Sequence, residues 1–245
     1  MKTVVRVLLL GAKGRMGQAI AANAEKRGVS IIAGLDLGDD ISAHVGNCDV
    51  VIDFSHSNGT SVMCRACGEA KKPAVIGTTG HSKEQRGSID ELARSVPVVL
   101  SPNFSVGVNA LFWLTRKAAE ILGDGFDLEI VEAHHRLKKD APSGTAKKLA
   151  EILCEVRGLD YDKNVAHGRE GLVGERRGDE IGMHSIRGGD IVGDHTVSFA
   201  GAGERLELTH KAASRETFAL GALRAARWIV GQPARLYSMQ DVVGL

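Results

Sequence analysis

The chain is short of proline, of cysteine, of net charge and of long apolar runs, and each shortage excludes something. Five prolines stand against thirty glycines in 245 residues, a balance that suggests tight turns or a backbone approaching a ligand closely. Lys and Arg total 31 and Asp and Glu 30, for a formal charge of +1. No global field therefore points to nucleic acid or a membrane surface as partner. No stretch approaches the roughly 20 apolar residues of a membrane span. The apolar start at 4–10 contains Arg6 and runs straight into a glycine loop, which suits a buried first strand better than a secretion signal. The cysteines are Cys48, Cys64, Cys67 and Cys154. Cys64 and Cys67 have CxxC spacing but fall in a helical stretch with no second pair, so packed thiols are expected and no zinc site. HExxH is also missing, so no metal is expected. These features together predict a cytoplasmic protein.

What is present is ordinary in bulk, with 43% hydrophobic and 25% charged residues, and long enough for one large or two modest domains. The first hundred residues alternate. Strands are predicted over 4–10, 29–35, 50–54, 74–76 and 96–100, and helices over 15–27, 60–71 and 83–94. Strands separated by helices imply a parallel sheet. After about Phe104 the rhythm changes to a helix over 108–122, a strand over 128–133 and a helix ending near Val156. Residues 158–180 read as one long loop. Segments at 184–187, 196–200 and 205–210 look like antiparallel strands, and a helix over 217–230 ends the pattern. No internal repeat or low-complexity tract is visible.

The first strand enters Gly11-Ala12-Lys13-Gly14-Arg15-Met16-Gly17. Between a strand and a helix start, such glycines let the backbone approach a pyrophosphate, while the helix N-terminus offers N–H donors and partial positive charge. Asp36, at the end of the second strand, can accept from the adenosine ribose hydroxyls. The alternative is that it only starts the turn at Gly38. Leu37 stands where an arginine would favour a 2′-phosphate, so NADH is the first expectation. Lys13 and Arg15 keep NADPH as the second. Two further loops, Gly77-Thr78-Thr79-Gly80 and Ser101-Pro102-Asn103-Phe104, follow the fourth and fifth strands, where such sheets bind ligands. Each could also be an ordinary turn.

The densest chemistry lies in E129-I-V-E-A-H-H-R-L-K-K-D-A-P-S-G-T-A146. Ser143 is a natural N-cap, and the N–H groups of Gly144 and Thr145 would add to an anion site at the helix start. Lys138 can contribute a formal charge, and His134 and His135 can donate hydrogen bonds or carry charge. A small dicarboxylate would suit that pocket, with one group left to give a proton. Against this, adjacent strand histidines point to opposite faces, and Lys138-Lys139 could be a solvated loop.

That motif resembles the signature of the dihydrodipicolinate reductase family. The likeness extends through G-x-x-G-R-M-G at 11–17, V-I-D-F-S at 51–55, G-T-T-G at 77–80 and P-N-F-S-V-G-V at 102–108. It continues through R-G-G-D-I-V-G-D-H at 187–195 and the segment at 204–218. The resemblance implies an α/β fold: a Rossmann-like dinucleotide domain (1–105 plus 215–245), and an α+β substrate and oligomerisation domain (106–214) with a mixed open sheet. Arg215 and Phe218 would lie near the hinge. It implies hydride transfer from NAD(P)H to C4 of a cyclic imine formed as 4-hydroxy-tetrahydrodipicolinate loses water, in lysine and diaminopimelate biosynthesis. His134 resembles the proton donor and Lys138 its partner cation, with His135, Ser143, Gly144 and Thr145 on the substrate carboxylate. Gly11–Met16, Asp36, Gly77–Thr79 and Ser101–Phe104 resemble the dinucleotide contacts. Family members assemble as homotetramers, and the same is expected here.

Two rivals remain. One is another two-domain nicotinamide enzyme, such as a sugar or semialdehyde dehydrogenase; the latter would need a nucleophilic cysteine in the second domain, where Cys154 lies inside a helix. A non-catalytic NADH sensor would need neither histidine motif nor carboxylate site, and would carry a partner module that is not visible.

Overall fold

The computed structural model describes residues 4–214 and 216–245. The chain divides into two compact units, one running through Val106 and resuming after Ser214, the other spanning Gly107–Ser214. Arg215, placed near a hinge by the resemblance, lies outside the described residues.

The first unit alternates as its sequence pattern demands: β1 (Val5–Leu10), α1 (Arg15–Ala24), β2 (Val29–Leu35), α2 (Ser42–Val45), β3 (Val50–Asp53), α3 (Thr60–Ala70), β4 (Ala74–Ile76), α4 (Lys83–Ala93) and β5 (Val98–Leu100). In the second unit follow α5 (Val106–Leu122), β6 (Asp127–His134), α6 (Gly144–Arg157), α7 (Tyr161–Asn164), β7 (Val165–His167), β8 (Ile181–Arg187), β9 (Gly193–Gly201) and β10 (Glu204–Ala212). The chain then returns to the first unit with α8 (Glu216–Ile229), β11 (Leu236–Tyr237) and α9 (Met239–Val243).

Six strands form the first sheet in the order β11-β5-β4-β3-β1-β2, all paired in parallel. Strands buried on both faces read as continuous apolar runs, and β1 shows why. Val7 and Leu9 pack with Ile20 of α1 and Ala222 of α8, whereas Leu8 and Leu10 pack with Met63 of α3 and Ile89 of α4. The carboxyl ends of β1, β3, β4 and β5 carry the glycine loop, Asp53, Gly77–Gly80 and Ser101–Asn103.

The second sheet runs β10-β9-β6-β8-β7 and is mixed. Its core joins Leu128 and Ile130 of β6 to Leu149 and Leu153 of α6. Two expectations fail here. The segment at 184–187 is not antiparallel: β8 pairs in parallel with both β6 and β7, because α6 and the long connection after it supply the crossover that a parallel pair requires. Residues 158–180 are not one loop, since Asp160 caps the single turn of α7 and β7 forms an edge strand. Both pieces are too short to show periodicity, and α2, β11 and α9 escaped for the same reason.

Candidate active site

In the first unit, the loop after β1 is built by close approach. Gly11 has φ +80°, and a Cβ there would strike the Phe54 carbonyl. A Cβ on Gly17 would collide with the Gly11 oxygen, so glycine is what allows α1 to start against the strand end. Gly11 and Ala12 donate to the Leu35 carbonyl at 2.8 and 3.3 Å. Gly14 is the N-cap of α1 and supplies no side-chain cap, which leaves the first-turn N–H groups for an anion. Lys13 and Arg15 are exposed, and Met16 packs against the core.

Asp36 lies one residue beyond β2. Its Oδ1 accepts the Lys13 N–H at 3.2 Å and its Oδ2 is 3.9 Å from Lys13 Nζ. It lines a cavity of about 280 Å³ with Gly11, Leu37, Asp39, Ser55 and Asn58. Leu37 is 93% exposed. Asp36 also enters the turn, its carbonyl accepting from Asp39 N at 3.1 Å. It is thus both turn former and pocket wall. The glycine contacts, the uncapped helix start and the pocket suit a dinucleotide.

Asp53, 1% exposed, anchors the other loops. Its carbonyl accepts from Gly77 and Thr78, and its Oδ1 accepts the N–H and hydroxyl of Ser55 at 2.9 and 2.5 Å. Thr78 is buried and Thr79 exposed. Ser101 donates to the Asn103 carbonyl at 2.7 Å, beside the exposed Pro102. Phe104 is a core residue, its ring 5.4 Å from that of Phe54.

In the second unit, period-2 alternation along β6 brings Glu132 and His134 to one face. Glu132 has no exposed surface, and His134 Nδ1 lies 2.5 Å from its Oε2. Arg187, opposite His134 on β8, donates to both Glu132 oxygens at 2.9 and 2.7 Å. Burial pushes the Glu132 pKa up, but hydrogen bonds from Arg187, His134 and Ser185 outweigh it and hold the group at about 2. Burial lowers the pKa of His134; the Glu132 hydrogen bond and charge oppose this, Lys138 and Arg187 reinforce it, and the net shift is downward.

His195 of β9 is 4% exposed, edge-on to His134 at 5.2 Å. Burial first, then the charge of His134, brings its pKa to about 4. Its Nε2 is 3.0 Å from Ser143 Oγ, and the same hydroxyl accepts the Ala146 N–H at 3.2 Å, capping α6. Gly144 and Thr145 are the first residues of that helix. His135 lies just past β6, so the two histidines are not both strand residues. The His135 carbonyl accepts the Lys138 N–H at 3.1 Å, and Lys138 Nζ pairs with Asp140 at 2.9 Å.

Set beside known proteins, residues 5–104 match the model of the dihydrodipicolinate reductase N-terminus and residues 107–243 that of its C-terminus. The chain belongs to the dihydrodipicolinate reductase family. A 4-hydroxy-tetrahydrodipicolinate reductase of Akkermansia muciniphila is 54% identical over 99% of both chains. One from Geotalea uraniireducens is 47% identical over 99% of this chain and all of its own. A dipicolinate-bound dihydrodipicolinate reductase from a Paenisporosarcina species superposes with TM-score 0.77 at 25% identity, covering 98% of this chain and 99% of that one. As a member of this reductase family, the chain is an NAD(P)H-dependent oxidoreductase.

The sequence alone points to His134, Lys138 and the start of α6 but not to Glu132, Arg187 or His195. Alternation from His134 back to Glu132 was an available signal. Nothing local announces that Arg187 and His195 stand beside them, because only sheet register does so. Among the described residues no cluster of three or more His, Cys, Asp or Glu could hold a metal, and no helix is long and apolar enough to cross a membrane.

Proposed function

We propose that the chain reduces 4-hydroxy-tetrahydrodipicolinate to tetrahydrodipicolinate in the cytoplasm, in the diaminopimelate and lysine branch of amino-acid biosynthesis. The observation that carries this is a histidine backed by a buried carboxylate, beside Lys138 and a helix N-terminus, in a chain of this family. The Paenisporosarcina relative holds dipicolinate, and a planar dicarboxylate is the ligand class such a cationic pocket favours.

In this reading the first unit holds the dinucleotide and the second the substrate, with boundaries near 105 and 215. Gly11, Ala12, Lys13, Gly14, Arg15 and Met16 meet the pyrophosphate, Asp36 the adenosine ribose, and Gly77–Thr79 with Ser101–Phe104 the nicotinamide end. The bound dinucleotide supplies hydride to C4 of the substrate ring. His134 donates the proton that completes the reduction, through Nε2, because Nδ1 is engaged by Glu132. Lys138 stabilises negative charge as it develops. His135, Ser143, Gly144 and Thr145 hold a substrate carboxylate.

NADH is preferred: two carboxylates, Asp36 and Asp39, line the adenosine-side cavity and no Lys or Arg does. Lys13, 3.9 Å from Asp36, is the cation through which NADPH is also used. A homotetramer belongs to the same reading. The second sheet turns Leu128 and Ile130 toward α6, while alternate residues such as Val131, His184, Ile186 and Thr196 face away from it. A half-exposed sheet face and edge of that kind need cover.

The test is initial-rate oxidation of NADH and NADPH, side by side, with substrate generated fresh from pyruvate and aspartate semialdehyde. Consumption that requires the substrate, faster with NADH, is the expected result. Binding of NADH without consumption would reject the reductase reading in favour of a sensor.

A further inference from the structure

Glu132 is a carboxylate stripped of water, with 0% exposure, and its oxygens are taken up by Arg187, His134 and the Ser143 N–H. Arg187 alone would account for a strut between β6 and β8. It would not account for the histidine on the same carboxylate.

A neutral imidazole carries one N–H, and a carboxylate can only accept. The contact with Glu132 therefore places the hydrogen on Nδ1 and leaves Nε2 as the nitrogen that accepts a proton or, once protonated, gives it away. The side chain of His134 keeps 12% of its surface exposed, and a Cβ on Gly193 would stand 3.1 Å from Nε2. The groups facing His134 are Glu132 on its own strand, Arg187 on β8, His195 on β9 and Lys138 in the following loop. Two of these are cations, and burial opposes charge as well. Glu132 is what keeps the ring able to hold a second proton, while Arg187 keeps Glu132 too weak a base to strip Nδ1.

We propose that Glu132, clamped by Arg187, is a positioning residue for His134: it fixes the Nδ1–H tautomer and leaves Nε2 as the nitrogen that exchanges the proton. The proposal rests on His134 being the proton donor of the reductase reaction.

Glu132→Gln and the conservative Glu132→Asp in the full chain, followed across pH, test it. Expected for Glu132→Gln is a fall in kcat of about 100-fold, within the span of general-acid contributions, with KM and NADH affinity within about twofold. Loss of the anion lowers the proton affinity of His134. The high-pH limb of kcat, where the acid deprotonates, should therefore move to lower pH, and Glu132→Asp should restore part of both effects. Imidazole ¹⁵N NMR of the unaltered protein should show His134 as the Nδ1–H tautomer.

A folded Glu132→Gln with near-normal kcat and an unmoved limb overturns the proposal, as does an Nε2–H tautomer in the unaltered protein. If Glu132→Gln does not fold, the tautomer and the Glu132→Asp profile still decide. An unaltered protein that never consumes NAD(P)H with the substrate, yet shows the Nδ1–H tautomer, sinks the reductase reading and leaves the pairing intact.

Discussion

At the scale of single residues, the second unit concentrates its chemistry on few atoms. His134 has one nitrogen committed to Glu132 and the other beside Gly193, and neighbouring cations restrain its charge. His134→Gln is therefore expected to lower turnover by about 100-fold or more while NADH still binds, because no dinucleotide contact is assigned to it. Stopped-flow turnover together with NADH fluorescence titration separates the two, and loss of both together would contradict the assignment. The cysteines show the opposite case. Burial pushes Cys64 up to about 12 and Cys67 higher than an ordinary thiol. CxxC spacing without exposure thus yields packing, as the helical pattern around it implied.

At the scale of elements, strand–loop–helix units place each functional group. The N-terminus of α1 has no side-chain cap, whereas that of α6 is capped by Ser143. In the proposed function, the uncapped start would take the pyrophosphate and the capped one a substrate carboxylate. At Gly17 the first turn of α1 runs directly against the backbone of the loop that follows β1. Gly17→Ala is predicted to weaken NADH binding about 10-fold or more and to cost about 1–3 kcal/mol of stability, because the methyl meets the backbone of Gly11 and Ala12 rather than a movable side chain. Dinucleotide titration and denaturant unfolding check it, and an unchanged affinity would mean that the loop relaxes freely.

Over the whole molecule, acidity acts on the second unit in one direction. Glu129, half-buried and held by Arg169, His184 and Arg176, sits at about 2, as does Glu132. Each folded pKa is depressed, so each contributes stability present above the ordinary value of 4.5 and lost as pH falls toward 2. His195 is depressed from 6.5 to about 4. The unfolded chain takes that proton first, so stability is lost as pH falls through this interval. The denaturation midpoint of the second unit should decline steadily below about pH 6.5, with Glu129→Gln flattening the lower part. A midpoint that is flat down to about pH 3 would contradict both ion networks.

Much of this was legible from the chain alone, because the signals were long and local. The apolar run at 4–10, the glycine loop, the 3.6-residue spacing in α1 and the Ser143 cap each depend on neighbours within a few positions. The near-zero net charge gave no global field pointing to nucleic acid or a membrane surface, and the alternation of strands and helices already implied a parallel sheet. Tertiary structure decided what depends on pairing between distant segments: that β8 runs parallel to β6, that β11 closes the first sheet, and that Arg187 and His195 arrive 55 and 63 residues after Glu132 to complete its surroundings. The physical reason is range. Caps, turns and helical faces are set by contacts a few residues apart, whereas a buried carboxylate is tolerated only where register brings its partners across the sheet.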